Sequence, residues 1–259
     1  MTDRERLRTT FGADAARYHR ARPTYPAELF GRLRGPRILE IGPGTGQATL
    51  PLTALGHVTA VELSPALAAL ARAHAPAADV VVADFDSWPL PGEPFDLVVS
   101  ATAFHWLDPA TRTARCAAAL RPGGALAVIS THHVAGGTEQ FFVDMQECYE
   151  RWDPSTPPGL RLPRAADVPR EFDDSPEFEE PEFHRYEWER AYDTEAYVDL
   201  LLTYSNHIAL PTRDELVADI RSLIDTRFGG RIVKRYLTQL AVARVRAAGT
   251  NAAPPRVES

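Results

Sequence analysis

Three glycines at alternate positions, Gly42, Gly44 and Gly46, follow directly on the run Ile38-Leu39-Glu40-Ile41. A chain lacking Cβ atoms at 42 and 44 turns tightly and lies against a ligand, and Gly46 lets the helix that follows pack closely on the strand. The next β-type run, His57-Val58-Thr59-Ala60-Val61, ends in Glu62, twenty positions after Gly42. A carboxylate there accepts hydrogen bonds from both hydroxyls of a ribose, so the two features together imply an adenosine-containing cofactor. Glu40 argues against a dinucleotide. A pyrophosphate on a helix N-terminus wants G-x-G-x-x-G, whereas this chain has G-x-G-x-G with an acid two residues before the first glycine, and that acid repels an anion. A cationic aminoacyl sulfonium is welcome there, because its charges sit well near carboxylates and carbonyls. A third run, 79–85, ends in Asp84-Phe85: an acid to accept from an adenine amino group and a ring to cover the base, with plain core packing as the competing role for Phe85.

Beyond a fourth run at 95–100 comes Ala101-Thr102-Ala103-Phe104-His105-Trp106. Phe104, His105 and Trp106 are the flat, partly polar side chains that a pocket wall needs, and His105 is the best placed candidate for a general base. The competing reading buries Trp106 in the core and leaves His105 in solvent. Arg121-Pro122-Gly123-Gly124 reads as a turn into a fifth strand, 125–130, and His132 and His133 follow it. Neighbours on an extended chain point to opposite faces, so the two histidines are not expected to share a metal ion, although one of them could serve as a base.

In this order the pieces resemble the class I S-adenosylmethionine-dependent methyltransferases over residues 11–130. The matching segments are Glu-Ile-Gly-Pro-Gly-Thr-Gly at 40–46, Glu62, Ala-Asp-Phe at 83–85, Phe-Asp-Leu-Val-Val-Ser at 95–100 and Leu-Arg-Pro-Gly-Gly at 120–124. Tyr18 with Arg22-Pro23-Thr24-Tyr25-Pro26, Phe104-His105-Trp106 and Thr203-Tyr204-Ser205 are similar to the small-molecule branch that contains trans-aconitate methyltransferases, methyltransferase type 11. The resemblance implies a Rossmann-like α/β fold, a doubly wound seven-stranded mixed sheet in a single domain with a helical cap or lid. It implies S-adenosyl-L-methionine as cofactor, held by Tyr18, Glu40, Gly42, Gly44, Gly46, Glu62, Leu63, Asp84, Phe85 and Ala101. The acceptor is then faced by Tyr25, Phe104, His105, Trp106, His132 and Tyr204, with the N-terminal segment folded over the cofactor. The activity implied is methyl transfer to a small molecule, preferably O-methylation of a carboxylate. Methylation of a natural-product hydroxyl or amine is the alternative, and a cofactor-binding domain without turnover is the non-enzyme alternative.

Composition agrees with such an enzyme. A chain of 259 residues with 44% hydrophobic content supports one substantial core with room for a cap. The expected division is a methyltransferase domain over 1–247, with core 30–135, a lid or cap insertion at about 136–181 and the remaining sheet and cap at 182–247, then a disordered tail, 248–259. A formal net charge of −7 leaves no basic footprint, so nucleic acid is not an expected partner. No apolar run approaches the ~20 residues of a membrane span, and the charged start is unlike a signal peptide, which makes the cytoplasm the expected compartment. Cys116 and Cys148 have no paired spacing and read as packing residues.

The elements that must position the site follow from caps and periodicity. Ser64-Pro65 and Asp108-Pro109 each read as a side-chain cap with proline at the first helical position. A helix is expected over 138–152, then a proline- and acid-rich loop or lid over 153–181. Strand six is expected over 183–192, with His184, Tyr186, Trp188 and Tyr192 on one face. One helix should run over 194–208. Another should begin at Thr212, capped by that hydroxyl with Glu215 reaching back, its stripe formed by Leu216, Val217, Ile220, Leu223 and Ile224. Gly229-Gly230 ends it, and 238–245 should be a last, antiparallel strand.

Overall fold

The computed structural model describes residues 14–246. Its strands are β1 (Arg37–Ile41), β2 (His57–Glu62), β3 (Asp79–Val82), β4 (Phe95–Ala101), β5 (Leu120–Val134), β6 (Glu182–Asp193) and β7 (Arg231–Arg244). They form one sheet in the order β3-β2-β1-β4-β5-β7-β6. The first five strands pair in parallel, and β7 lies antiparallel between β5 and β6. The helices in chain order are α1 (Ala15–Ala21), α2 (Ala27–Phe30), α3 (Thr49–Leu52), α4 (Pro65–His74), α5 (Arg112–Ala119), α6 (Glu139–Trp152), α7 (Thr194–Leu201), α8 (Ser205–Ile208) and α9 (Arg213–Arg227). Among the described residues no helix is long and apolar enough to cross a membrane.

The central strands are apolar on both faces because helices cover both faces. Ile38, Leu39, Val98 and Val99 are all fully buried. One side packs on Leu29, Phe30 and Leu33, the other on Cys116 and Ala119 of α5. A separate apolar cluster holds the cap: Phe141, Phe142, Met145 and Cys148 of α6 meet Tyr197, Leu200 and Leu201 of α7 and Leu216, Ile220 and Ile224 of α9. Both cysteines are free and buried. α1 docks on this cap through Ala21 and through Arg17, which reaches Asp199 at 3.0 Å.

Several expected boundaries move. β3 stops at Val82, leaving Asp84 and Phe85 in the loop beyond it. The Arg121-Pro122-Gly123-Gly124 segment lies inside β5 as an irregularity, where the pairing with β4 shifts between Phe95 and Leu97. β5 then extends to Val134, because β7 supplies partners as far as Val134 opposite Arg235. β7 begins at Arg231, before the expected position. Its charged Arg231, Lys234 and Arg235 hide the strand in the sequence, but each has a ladder partner on β6, as Asp193 opposite Arg231 shows, and backbone pairing outweighs the side-chain pattern. The even positions of β6 do share a face, with Trp188 stacked on Tyr236 at 4.5 Å between ring centres.

Helix ends differ for local reasons. Ser64 caps α4 as expected, accepting from Leu67 N at 3.4 Å. Asp108 instead caps a turn, accepting from Ala110 N at 3.1 Å, and α5 starts only at Arg112. The expected single helix over 194–208 breaks into α7 and α8, where the Thr203 hydroxyl donates to the Leu200 carbonyl at 2.6 Å and competes with the helix ladder. Thr212 makes no cap; its hydroxyl donates to the Trp152 carbonyl and ties the start of α9 to the end of α6. After the glycine turn only the short α3 forms. The segment expected as a lid is a pinned wall: Asp173 holds Arg112 through two bonds of 2.5 and 2.7 Å, Gln239 donates to the Pro169 carbonyl at 2.9 Å, and Phe178 bridges to Val245. The expected tail at 248–259 and residues 1–13 of the expected domain lie outside the described residues.

Ile220 is fully buried at the centre of the cap cluster. Ile220→Ala is expected to cost about 2–5 kcal/mol of unfolding free energy in urea titrations.

Candidate active site

A cavity of about 830 Å³ opens beyond the carboxyl ends of β1 and β4, at the point where the strand order reverses and the chain ends of neighbouring strands diverge. Tyr18, Glu40, Gly42, Gly44, Glu62, Leu63, Phe85 and Ala101 line it, as do Tyr25, Phe104, His105, Trp106, His132 and Tyr204. Two expected residues do not. Gly46 has a φ of +91°, and a Cβ there would stand 3.4 Å from the Ala71 Cα, so its smallness serves packing against α4. Asp84 is not in the lining. Its carboxylate accepts from Asp86 N at 3.1 Å in a local turn, which follows from β3 ending early.

The glycine turn is held in place by charge-assisted bonds. Glu62, 6% exposed, accepts from Gly44 N at 3.0 Å through one oxygen and from Ser64 N at 2.9 Å through the other. That carboxylate therefore ties the turn after β1 to the start of α4. Gly42 takes φ +68°, and a Cβ there would lie 2.6 Å from that of Ala103, so no side chain fits. Tyr18 on α1 leans over the turn; a Cβ on Gly44 would meet its ring at 3.7 Å. Phe85 is 2% exposed and belongs to the core, with the Arg115 guanidinium 5.1 Å from its ring centre, yet its ring also faces the cavity.

Glu40 is fully buried, and neither carboxylate oxygen has a hydrogen-bond partner. Burial raises its pKa to about 7; the nearby Thr49 hydroxyl opposes this and the Glu62 charge adds to it. An orphaned buried carboxylate at the mouth of a glycine turn suits a cationic ligand group, which would supply the missing partner.

On the opposite side, Phe104–Trp106 form a single 3-10 turn. His105 is exposed at the cavity, its ring 4.8 Å from that of Trp106, which is half-buried. Crowding by protein lowers the His105 pKa, and the charges of Arg112 and Arg22 lower it further. His132 reaches Ser130 Oγ at 2.9 Å, and burial lowers its pKa too. His133 points to the other face, against Phe142 at 4.4 Å, where burial drives its pKa down to about 2. Among the described residues no group of three or more His, Cys, Asp or Glu is placed to hold a metal ion.

Sequence reasoning missed several lining groups. Thr102 has φ +53°, the one positive value on a non-glycine residue among those described, and its hydroxyl meets the Tyr25 hydroxyl at 2.9 Å. Strain of this kind concentrates where ligands are clamped. Pro169, Glu171, Phe172 and Asp173 enter from the pinned loop, and Gln239 from β7. No periodicity marks the loop, and only the sheet register brings Gln239 to the cavity.

Comparison with known proteins agrees with this geometry. The family model described as a methyltransferase domain matches residues 39–128. An uncharacterized methyltransferase of Mycobacterium tuberculosis strain H37Rv is 35% identical over 130 residues, covering 49% of this chain and 54% of that protein. A trans-aconitate 2-methyltransferase of Delftia acidovorans is 36% identical over 118 residues, covering 42% and 43%. A malonyl-[acyl-carrier protein] O-methyltransferase of Methylococcus capsulatus is 36% identical over 98 residues, covering 35% and 36%. The chain thus matches about half the length, or less, of these curated relatives. A solved structure from Anaeromyxobacter dehalogenans, described as a candidate type II methyltransferase, superposes with a TM-score of 0.59 at 24% identity, covering 87% of this chain and 99% of that one, which establishes the shared fold.

The raised pKa of Glu40 has a consequence for stability. The folded chain binds this proton more tightly than the unfolded chain does, so the contribution is fully present below about pH 4.5 and is lost as pH rises through about 7. Glu40→Gln is expected to match the parent at pH 4 and to exceed it by about 3 kcal/mol above pH 8 in ligand-free urea titrations.

Proposed function

We propose that residues 39–128, which match the methyltransferase-domain family model, form a class I, S-adenosylmethionine-dependent domain, and that the chain transfers a methyl group from S-adenosyl-L-methionine to a small molecule. O-methylation of a carboxylate is the finer reading. The observation that carries the proposal is the pairing of a built donor end, made of the glycine turn, Glu62 and the orphaned Glu40, with a walled space beyond it in one cavity. Its volume, about 830 Å³, lies in the upper part of the range for small-molecule sites.

When bound, the donor supplies a methyl group on a sulfonium, electrophilic without further activation. Glu62 would hold the ribose hydroxyls, Glu40 the ammonium, Tyr18 would close over the glycine turn, and Phe85 would flank the adenine. Holding a nucleophile in line with the methyl and excluding water lowers a barrier by ~7–11 kcal/mol. The residues suited to this are Phe104 and the pinned loop with Phe172, which pack into one apolar cluster, with Trp106 beside them on the cavity wall. A carboxylate nucleophile is already ionised at neutral pH and sheds no proton. The carboxylate reading is supported by the named activity of the trans-aconitate relative and by Arg22, a cation on the cavity wall with no ion-pair partner among the described residues. A second reading, methylation of a hydroxyl or amine, is favoured by one observation: His105 lines the cavity with its side chain exposed, placed to take a proton.

S-adenosylmethionine and its demethylated product are expected to stabilise the fold by ~2.7 kcal/mol at a hundredfold excess over the dissociation constant, read by thermal scans. Glu62→Ala is expected to weaken donor binding at least tenfold in calorimetry, through lost charge-assisted bonds. NAD shifting the melting point in place of these ligands would reject the donor assignment. His105→Gln separates the two acceptor classes. With a carboxylate acceptor much of the turnover remains and its pH profile shows no histidine limb; with a hydroxyl or amine the rate falls ~10²–10⁴-fold.

A further inference from the structure

Tyr204 lines the cavity at the break between α7 and α8. Behind it stands Lys234 of β7, 4% exposed, whose Nζ donates to the Tyr204 hydroxyl at 3.1 Å. Arg22 lies on the other side, its guanidinium carbon 4.6 Å from the Tyr204 ring centre and 4.9 Å from that of Tyr18. One Arg22 Nη donates to the Thr203 carbonyl at 2.9 Å, and its buried Nε has no partner. Among the described residues neither cation has a carboxylate within ion-pair distance.

Among the described residues the surrounding shell brings no carboxylate to these cations; Glu171 lines the same cavity but makes no ion pair with either. Tyr236 and Tyr192 hydrogen-bond to each other at 2.7 Å, and Tyr149 bonds to His207 at 2.8 Å. Burial keeps His133 and His207 neutral, with pKa values of about 2 and about 4. Asp153, the acid nearest His207, is occupied by Ser155 and Thr156 at 2.5 and 2.8 Å. Glu40 and Glu62 stand at the donor end, and the rim pair Arg112–Asp173 neutralises itself. Two buried or half-buried cations among aromatic rings are costly unless an anion meets them. Burial pushes the Tyr204 phenol up, but Lys234 and Arg22 together outweigh it and hold the phenol below the ordinary tyrosine range, which makes it a strong hydrogen-bond donor.

We propose that Arg22 and Tyr204, with Lys234 positioned behind the phenol, form an anion subsite that takes a carboxylate of the methyl acceptor. This rests on the methyl-transfer reading above and extends it. The acceptor class is a small molecule with a carboxylate held at this subsite and a second nucleophilic group, a further carboxylate included, presented to the methyl. Arg22 and the Tyr204 hydroxyl touch the anion. Lys234 acts through Tyr204, since it does not itself line the cavity.

The test uses the full chain saturated with S-adenosylhomocysteine, and a panel of aliphatic mono-, di- and tricarboxylates with their uncharged methyl esters as controls. Calorimetry is expected to find a carboxylate that binds at least tenfold more tightly than its full ester. Binding should lower the phenolate absorbance of the protein at a fixed alkaline pH, because an anion beside Tyr204 favours the phenol, and Tyr204→Phe should abolish that change. Lys234→Met should move the Tyr204 titration to higher pH and weaken the carboxylate at least tenfold while the affinity for S-adenosylhomocysteine stays unchanged; Arg22→Gln should weaken the same carboxylate. The proposal is overturned if no carboxylate outbinds its ester, if Lys234→Met leaves both the titration and the affinity unmoved, or if Arg22→Gln weakens S-adenosylhomocysteine alone. Failure of the wild-type chain to bind S-adenosylhomocysteine at all would instead overturn the methyl-transfer reading.

Discussion

β1 hydrogen-bonds to β2 on one side and to β4 on the other, and helices cover both of its faces, so it can sit only at the centre of the sheet. The chain leaves it towards β2 and returns to β4 on the opposite side. The backbone at the carboxyl end of β1 turns there as the glycine segment. The Glu62 carboxylate then closes the arrangement by accepting from Gly44 and from Ser64. One side chain thus couples the ends of two strands and the first turn of α4. The cavity is a consequence of that coupling.

Both signs of charge line the cavity, with Glu171 and the Arg112–Asp173 pair on its wall. Glu40 and Glu62 stand at the glycine turn, while Arg22 lies between Tyr18 and Tyr204, with Lys234 behind Tyr204. A cationic donor and an anionic acceptor would each meet a group of opposite sign, and bringing them together would cancel charge. Such preorganisation asks little of a general base. It also accounts for the orphaned oxygens of Glu40 and the unpartnered Nε of Arg22, which are expensive to bury without ligands.

The cap supplies the second half of this arrangement. Its cluster is separate from the cores that flank the central strands, and α1 and the break between α7 and α8 are its contact points with the cavity. Arg22 bonding to the Thr203 carbonyl at 2.9 Å joins the two. The Thr203 hydroxyl that ends α7 therefore also decides where Tyr204 points: a continuous helix over these residues would place that ring on a different bearing.

The glycine-turn end of the cavity was legible because it is local. Gly42, Gly44 and Glu62 lie within two neighbouring strands and a turn, and their backbone demands are written in residue type and spacing. The same holds for the parallel sheet, the Ser64 cap and the apolar stripe of α9. Gly46 and Asp84 were assigned to the ligand because their spacing fits it, and only the fold shows Gly46 pressed against α4 and Asp84 turned into its own loop. The early start of β7 was hidden because its charged residues carry no alternation, whereas ladder partners on β6 decide it. By itself, then, the sequence determined the sheet, the glycine turn and the acid that closes it, since these depend on contacts between near neighbours in the chain. The tertiary structure alone decided that Lys234 stands behind Tyr204, that Arg22 faces both Tyr18 and Tyr204, and that residues 169–173 form a wall, because those contacts join segments far apart in the chain and no local pattern encodes them.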